Sequence, residues 1–287
     1  MSAKIIDGKA LSQRILGEAK DDVAKIVAEG GRPPCLAVIL VGGDPASRIY
    51  VDSKKAACVG AGIISVAHEL PDDASEAELL RIIADLNADG SVDGILVQSP
   101  LPARMDEQKA LLAIDPAKDV DGFHPMNAGL LAKGGQGLLP GTPAGIIELL
   151  KYAGVKIEGA EAVVVGRSNI VGKPAAMLLI KENATVTICH SRTQNLSEIT
   201  KRADILVAAL GKRNFITPNM IKEGAAVIDV GIHRTPGSRK ITGDVDPACA
   251  DVAGYITPVP GGVGPMTVAM LIKNCVKAYN QRTGNGR

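Results

Sequence analysis

Two α/β domains, each a parallel sheet covered by helices, are what this sequence predicts, and three observations predict them. The chain has 287 residues, more than one small core needs at about 100–200 residues per domain. With four Tyr, two Phe and no Trp, its core must be built from Ala, Val, Ile and Leu, as in helix-covered parallel sheets. Finally, short apolar strands alternate with helical stretches in two series, separated by a Gly-, Pro-, Asp- and Asn-rich stretch from Asp115 to Pro143, read as loop with a short helix.

The first series opens with a helix. Leu11, Ile15, Ala19, Val23 and Ile26 or Val27 share one helical stripe that ends at Gly30-Gly31 and Pro33-Pro34. Cys35 to Val41 is a continuous apolar strand. A Gly42-Gly43-Asp44-Pro45 turn leads to a helix from about Ser47 to Gly60 and a strand near Ile63 to Ala67. Ser75 and Glu78 have capping-box spacing ahead of a helix through Leu86, and Asp93 to Gln98 returns as a strand. The second series runs through strand Ala162 to Val165, helix Lys173 to Lys181, and strands Thr185 to Cys189, Ile205 to Ala208 and Ala225 to Val230. Thr257 to Gly262 is irregular, and a last helix spans about Pro265 to Tyr279.

Composition narrows the function. Lys+Arg 32 against Asp+Glu 31 leaves a net charge of +1 and no basic footprint for a nucleic-acid backbone. No apolar run approaches the roughly 20 residues of a bilayer span. The N-terminal residues carry no export signal, so a cytoplasmic setting is expected. Five scattered cysteines, without a CxxC, read as buried thiols. His68, His124, His190 and His233 show no ligand spacing, so no metal is expected. Neither GxSxG nor GxxxxGK[ST] occurs, which leaves hydrolytic triads and kinase chemistry without support.

Val163 to Pro174 places a glycine turn, with Gly166, Arg167 and Ser168, between a strand and a helix, the context a pyrophosphate needs. Its Gly-x5-Gly spacing departs from GxGxxG, so a nucleotide turn and a plain tight βα turn both fit. The next strand ends in Cys189-His190-Ser191-Arg192-Thr193 with no acid, which favours NADP over NAD if a dinucleotide binds. Otherwise Arg192 is a solvated strand-end charge. Tyr50 and Lys54, four apart, share a helix face and suit a polar reacting centre, while an exposed Lys beside a half-buried Tyr is the simpler alternative. Gln98 ends a buried strand, where α/β proteins place ligands. Asp121 is the third polar candidate, though Asp before Gly is also an ordinary turn residue.

Together these segments resemble the bifunctional methylenetetrahydrofolate dehydrogenase/methenyltetrahydrofolate cyclohydrolase family along nearly the whole chain. Five ordered stretches carry the resemblance: Tyr50 to Lys54, Gly94 to Pro102, Lys118 to His124, Val165 to Pro174 and Thr257 to Thr267. The resemblance implies a folate-binding catalytic domain over 1–140 plus the helix 265–287, a Rossmann-like NADP-binding domain over 141–264, a cleft between them, and a homodimer. It implies that Lys54 is catalytic, that Tyr50 contacts the folate, that Gln98 positions the Lys, and that Asp121 hydrogen-bonds the pterin. Pro258 and Gly262 are expected to touch the tetrahydrofolate derivative, and Gly166, Arg167, Ser168, Ser191, Arg192 and Ile232 to line the NADP site. Ser99, Gly141 and Arg213 depart from the residues usual in the family, and Ser99 bears on how Gln98 is held. The alternatives are an NADP-dependent dehydrogenase of another substrate and a non-catalytic folate or nucleotide sensor.

Overall fold

The structure is a computed structural model that describes residues 2–234 and 241–284. In chain order the elements are β1 (Lys4–Ile5), α1 (Gly8–Ala28), β2 (Cys35–Val41), α2 (Pro45–Ala61), β3 (Ile64–Leu70), α3 (Glu76–Ala88), β4 (Gly94–Val97), α4 (Glu107–Ala113), α5 (Pro125–Ala132) and α6 (Gly141–Tyr152). They continue with β5 (Glu161–Val165), α7 (Gly172–Lys181), β6 (Thr185–Cys189), α8 (Leu196–Thr200), β7 (Ile205–Ala208), β8 (Ala226–Asp229), β9 (His233–Arg234), β10 (Ile241–Thr242), β11 (Tyr255–Ile256) and α9 (Val263–Thr283). The chain divides into two compact units, one of residues 13–141 and 268–284, the other of residues 2–12 and 142–267.

The first unit is built on a parallel sheet of order β3-β2-β4. All seven residues of β2 are buried because the strand feeds two cores. Leu36, Val38 and Leu40 pack with Ala19, Val23 and Ile26 of α1, Val51 and Cys58 of α2, and Leu271 and Cys275 of α9. Cys35, Ala37, Ile39 and Val41 point to the other face and meet Leu79, Ile83 and Leu86 of α3. The alternation follows from the two-residue period of a strand. α3 starts as the capping-box spacing predicts, with Ser75 Oγ accepting from the Glu78 N–H at 3.1 Å.

The second unit carries a six-stranded sheet of order β1-β11-β8-β7-β5-β6, parallel at every pairing. Val163, Val165, Leu206, Ala208 and Val227 form a core with Ile216, Ile221 and Cys249, and α7 buries Ala175, Ala176 and Leu179. Residues 2–12 group with this sheet and not with the domain expected to begin at residue 1. β1 pairs in parallel with β11, Lys4 beside Tyr255 and Ile5 beside Ile256, and so closes an otherwise open sheet edge.

Candidate active site and nucleotide cleft

α2 begins at Pro45 behind Asp44, whose carboxylate accepts from the Ser47 N–H at 2.7 Å, and stops at Gly62 in the left-handed conformation. This fixes the helix register and places Tyr50 and Lys54 one turn apart. Beyond β4, Gln98 is tied to the sheet by its N–H on the Ile39 carbonyl at 2.9 Å. The Lys54 Nζ donates to Gln98 Oε1 at 2.9 Å, and Gln98 Nε2 donates to the Ser99 carbonyl at 2.6 Å. One amide end is thus an acceptor and the other a donor, so the Gln98 side chain has a single orientation. Because its anchor is the main chain of Ser99, the departure at position 99 leaves that anchor in place.

Asp121 arrives beside them on a segment that extends the sheet. The Ile95 N–H donates to the Lys118 carbonyl at 2.8 Å, and Ile95 and Asp119 form a parallel bridge. The rest of the Lys118–His124 motif holds this segment. Buried Lys118 donates to the carbonyls of Leu86, Asn87 and Asp89 at 2.7–2.8 Å, which satisfies the C-terminal end of α3. Asp119, also buried, accepts from the His124 N–H at 2.7 Å and from Asn127 Nδ2 at 3.0 Å. Gly122 follows with φ +70 in a space where a Cβ would meet the Leu139–Pro140 peptide.

The electrostatics of this cluster follow from its setting. Burial pushes the Asp121 carboxyl up to about 6, the Lys54 charge works against that rise, and the Asp119 charge adds to it. Lys54 moves the opposite way: burial lowers its ammonium below the ordinary value, and the charge of Asp121 holds it partly up. Burial therefore narrows the gap between an acid and a base that feel each other's charge. Tyr50, 45% exposed, offers a free ring at the same helix face.

A separate cleft of about 300 Å³ opens at the carboxyl ends of β5, β6 and β7, where parallel α/β sheets bind ligands. Gly166, Arg167, Ser168 and Ser191 line it together with His190, Leu210, Lys212 and Phe215. Gly166 sits at φ +134, and a Cβ there would overlap the Ala209 carbonyl. Ser168 Oγ accepts from the N–H groups of Val171 and Gly172 at 3.1 and 3.3 Å, fixing the turn ahead of α7. Lys212 Nζ lies 5.4 Å from the centre of the Phe215 ring. Arg192, exposed at the end of β6, and Ile232, 51% exposed beyond β8, are not among the lining residues. Pro258 and Gly262 follow β11 in this second unit, where a Cβ at Gly262 would press on the Pro258 carbonyl. Sequence reading missed Lys212 and Phe215 as cleft residues because they come from a loop without a motif.

No group of three or more His, Cys, Asp or Glu side chains placed to hold a metal ion occurs among the described residues. In these residues no helix is long and apolar enough to cross a membrane, and all five cysteines are buried and free.

A strand-end cleft with a glycine turn and cationic side chains in one unit, and a Lys-Gln-Asp-Tyr cluster in the other, describe a two-unit α/β protein of the nucleotide-binding class. Two family models match the chain: the tetrahydrofolate dehydrogenase/cyclohydrolase catalytic domain over residues 6–121, and the NAD(P)-binding domain of the same family over 140–283. The bifunctional protein FolD of Lachnoclostridium phytofermentans is 58% identical over 275 residues, 96% of this chain and 97% of that protein. Among solved structures, the FolD methylenetetrahydrofolate dehydrogenase/cyclohydrolase of Campylobacter jejuni superposes with a TM-score of 0.95 at 47% identity, covering 98% of this chain and all of that one. The Trypanosoma brucei enzyme, complexed with NADP cofactor and inhibitor, gives 0.92 at 38% identity over 99% of each chain. The chain belongs to the bifunctional tetrahydrofolate dehydrogenase/cyclohydrolase family.

Proposed function

We propose that this protein oxidises 5,10-methylenetetrahydrofolate to 5,10-methenyltetrahydrofolate with NADP and then hydrolyses the product to 10-formyltetrahydrofolate, with Lys54, Gln98, Asp121 and Tyr50 as its folate site. The observation that carries the residue roles is the hydrogen bond from Lys54 to the singly oriented Gln98, set beside a carboxylate of raised pKa.

The cleft fits a dinucleotide. Gly166 lets the turn after β5 lie against the Ala209 carbonyl where any Cβ would collide, which shapes the cleft wall, and Arg167 and Lys212 supply the positive charge that phosphates need. Gly166, Arg167, Ser168 and Ser191 would hold the cofactor, with Arg192 at the cleft's edge as the partner of the 2′-phosphate and Ile232 beside the nicotinamide. When bound, NADP supplies the acceptor for the hydride leaving the one-carbon bridge. That step releases no proton, so the protein's contribution to it is orientation. Asp121 accepts hydrogen bonds from the pterin, since neither of its oxygens is engaged by another described residue, and Tyr50 contacts the folate through its ring.

Hydrolysis does need proton transfer. The neutral amine of Lys54 takes a proton from the water that adds to the cationic carbon. The same Nζ then returns a proton to the ring nitrogen as the carbon–nitrogen bond breaks, and the hydroxyl proton of the adduct passes to solvent as the formyl group forms. Burial favours this cycle by lowering the pKa of Lys54, and Gln98 keeps the Nζ in reach of both atoms. Pro258 and Gly262 complete the proposed folate contacts. A homodimer and a cytoplasmic setting belong to the same reading, and sedimentation tests the dimer.

The deciding experiment follows methenyl formation and decay on 5,10-methylenetetrahydrofolate, with NADP and with NAD, for the wild type and Lys54→Met. The wild type should form methenyl product faster with NADP and hydrolyse it above the buffer rate. Lys54→Met should lose cyclohydrolase activity far more than dehydrogenase activity; equal loss of both would make Lys54 a folate-binding residue instead.

A further inference from the structure

Two buried carboxylates in the second unit, Asp229 at the end of β8 and Asp244 just after β10, take no part in the chemistry described above. They are joined to each other and to the nucleotide cleft by a chain of hydrogen bonds. Asp229 Oδ1 accepts from the N–H groups of Gly231 and Asp244 at 2.9 and 2.8 Å, and its Oδ2 accepts from the Val245 N–H at 3.0 Å. Asp244 is then presented to the end of β7. There its Oδ2 accepts from the successive N–H groups of Leu210 and Gly211 at 2.8 and 2.9 Å, while its Oδ1 meets His233 Nε2 at 2.7 Å.

The packing leaves no slack in this arrangement. A Cβ at Gly243 would overlap the Asp229 carboxylate, and one at Gly231 would overlap Asp244. Both glycines let a carboxylate reach main-chain amides directly. What Asp244 grips is the cleft wall, since Ala209, Leu210 and Lys212 all line the cavity. Two adjacent N–H groups at the carboxyl end of a parallel strand would otherwise be open to a ligand or to water. Here they are satisfied from behind, which fixes the peptide that carries the Leu210 side chain and Lys212 toward the cofactor.

We propose that Asp244 is a positioning residue for NADP, acting through the Leu210–Gly211 peptide, with His233 and Asp229 holding its carboxylate in place. Two charge-assisted hydrogen bonds, mostly removed from water, are lost in Asp244→Ala. The dissociation constant for NADP should rise about tenfold or more, and the KM for NADP should rise with it. Cyclohydrolase activity, assayed on 5,10-methenyltetrahydrofolate without NADP, should stay near the wild-type rate. Asp244→Asn keeps an oxygen for Leu210 and Gly211 and the shape of the side chain beside His233, so it should restore NADP binding to within about threefold.

Direct titration of NADP against each purified protein, followed by protein fluorescence or heat, reads the outcome. A folded Asp244→Ala that binds NADP as the wild type does overturns the proposal, as does cyclohydrolase activity that falls in parallel with NADP affinity. Should Asp244→Ala fail to fold, His233→Ala decides. It removes one support of the carboxylate from a partly exposed position, and should weaken NADP binding about threefold at an unchanged melting temperature. An unchanged dissociation constant in that variant also overturns the idea. The proposal rests on the cleft being the NADP site, and failure of that reading would show separately, as wild-type protein that does not bind NADP.

Discussion

Replacing Asp121 with Asn should make the protein more stable at neutral pH while removing its folate chemistry. The carboxyl is pushed by burial from its ordinary 3.8 up to about 6, a net figure that already includes the attraction of Lys54. A group whose folded-state pKa is raised favours the fold fully below the unfolded value, and this contribution is lost as pH climbs through the folded value. Above about pH 6 the wild type therefore holds an ionised carboxylate in surroundings that disfavour it. That costs about 3 kcal/mol at pH 7.5 and about 1 kcal/mol at pH 4.5, before screening at the open side of this half-buried group removes about half of each. Asn has nearly the shape of a protonated Asp and no charge. In paired urea titrations, Asp121→Asn should gain about 1 kcal/mol over the wild type between pH 4.5 and pH 7.5. The shift of Asp229, also raised to about 6, is common to both proteins and cancels in the comparison. A difference between the two proteins that does not grow with pH, or a variant less stable than the wild type at neutrality, would refute the reasoning.

Two further outcomes are expected. Asp93, fully buried, accepts from Arg32 at 2.6 and 2.9 Å, from Arg282 at 2.9 Å and from the Cys35 N–H at 2.9 Å. Asp93→Ala should cost about 2–4 kcal/mol in urea unfolding, less than for a fully enclosed pair because both arginines reach water; a loss under about 1 kcal/mol would contradict the clamp. Ser99→Leu should leave cyclohydrolase activity within about twofold, as expected of a surface change that spares its neighbours, because Gln98 is held by the main-chain carbonyl at that position. A tenfold change would mean that the side chain at 99 also holds Gln98.

What the sequence discloses here follows from how far each signal reaches along the chain. β2, β5 and β7 are legible as continuous or nearly continuous apolar runs, since strands packed from both sides need no polar partners. The start of α3 is legible because a capping box spans three residues. β1 and β11, two residues each, have no period to detect and exist only because their neighbours in the sheet are adjacent in space. α6 opens with Gly141-Thr142-Pro143, which reads as a turn although Pro is at home in a first helical turn. Tyr50 and Lys54 are found by helical spacing alone. The Asp229–Asp244 link joins residues 15 apart across a reversal of the chain, and along the sequence both pass for ordinary acids next to turns.

The stretch from Lys118 to His124 shows why a functional motif is longer than its functional part. Only Asp121 is aimed at the proposed ligand. Holding its carboxyl where it ionises near 6 is unfavourable, so the segment would relax toward solvent unless tied on both sides. Lys118 ties the N-terminal side by filling the carbonyl end of α3, and Asp119 ties the C-terminal side through His124 and Asn127. Asn274 of α9 adds a third point, donating to the Val120 and Leu139 carbonyls at 2.8 and 2.7 Å. Gly122 is then the one residue that allows the turn after Asp121 to lie against the Leu139–Pro140 peptide. Each residue that looks redundant in the motif supports the orientation of a single carboxylate, and changes at Lys118, Asp119 or Asn274 should reach the chemistry through Asp121 without any of the three touching the folate.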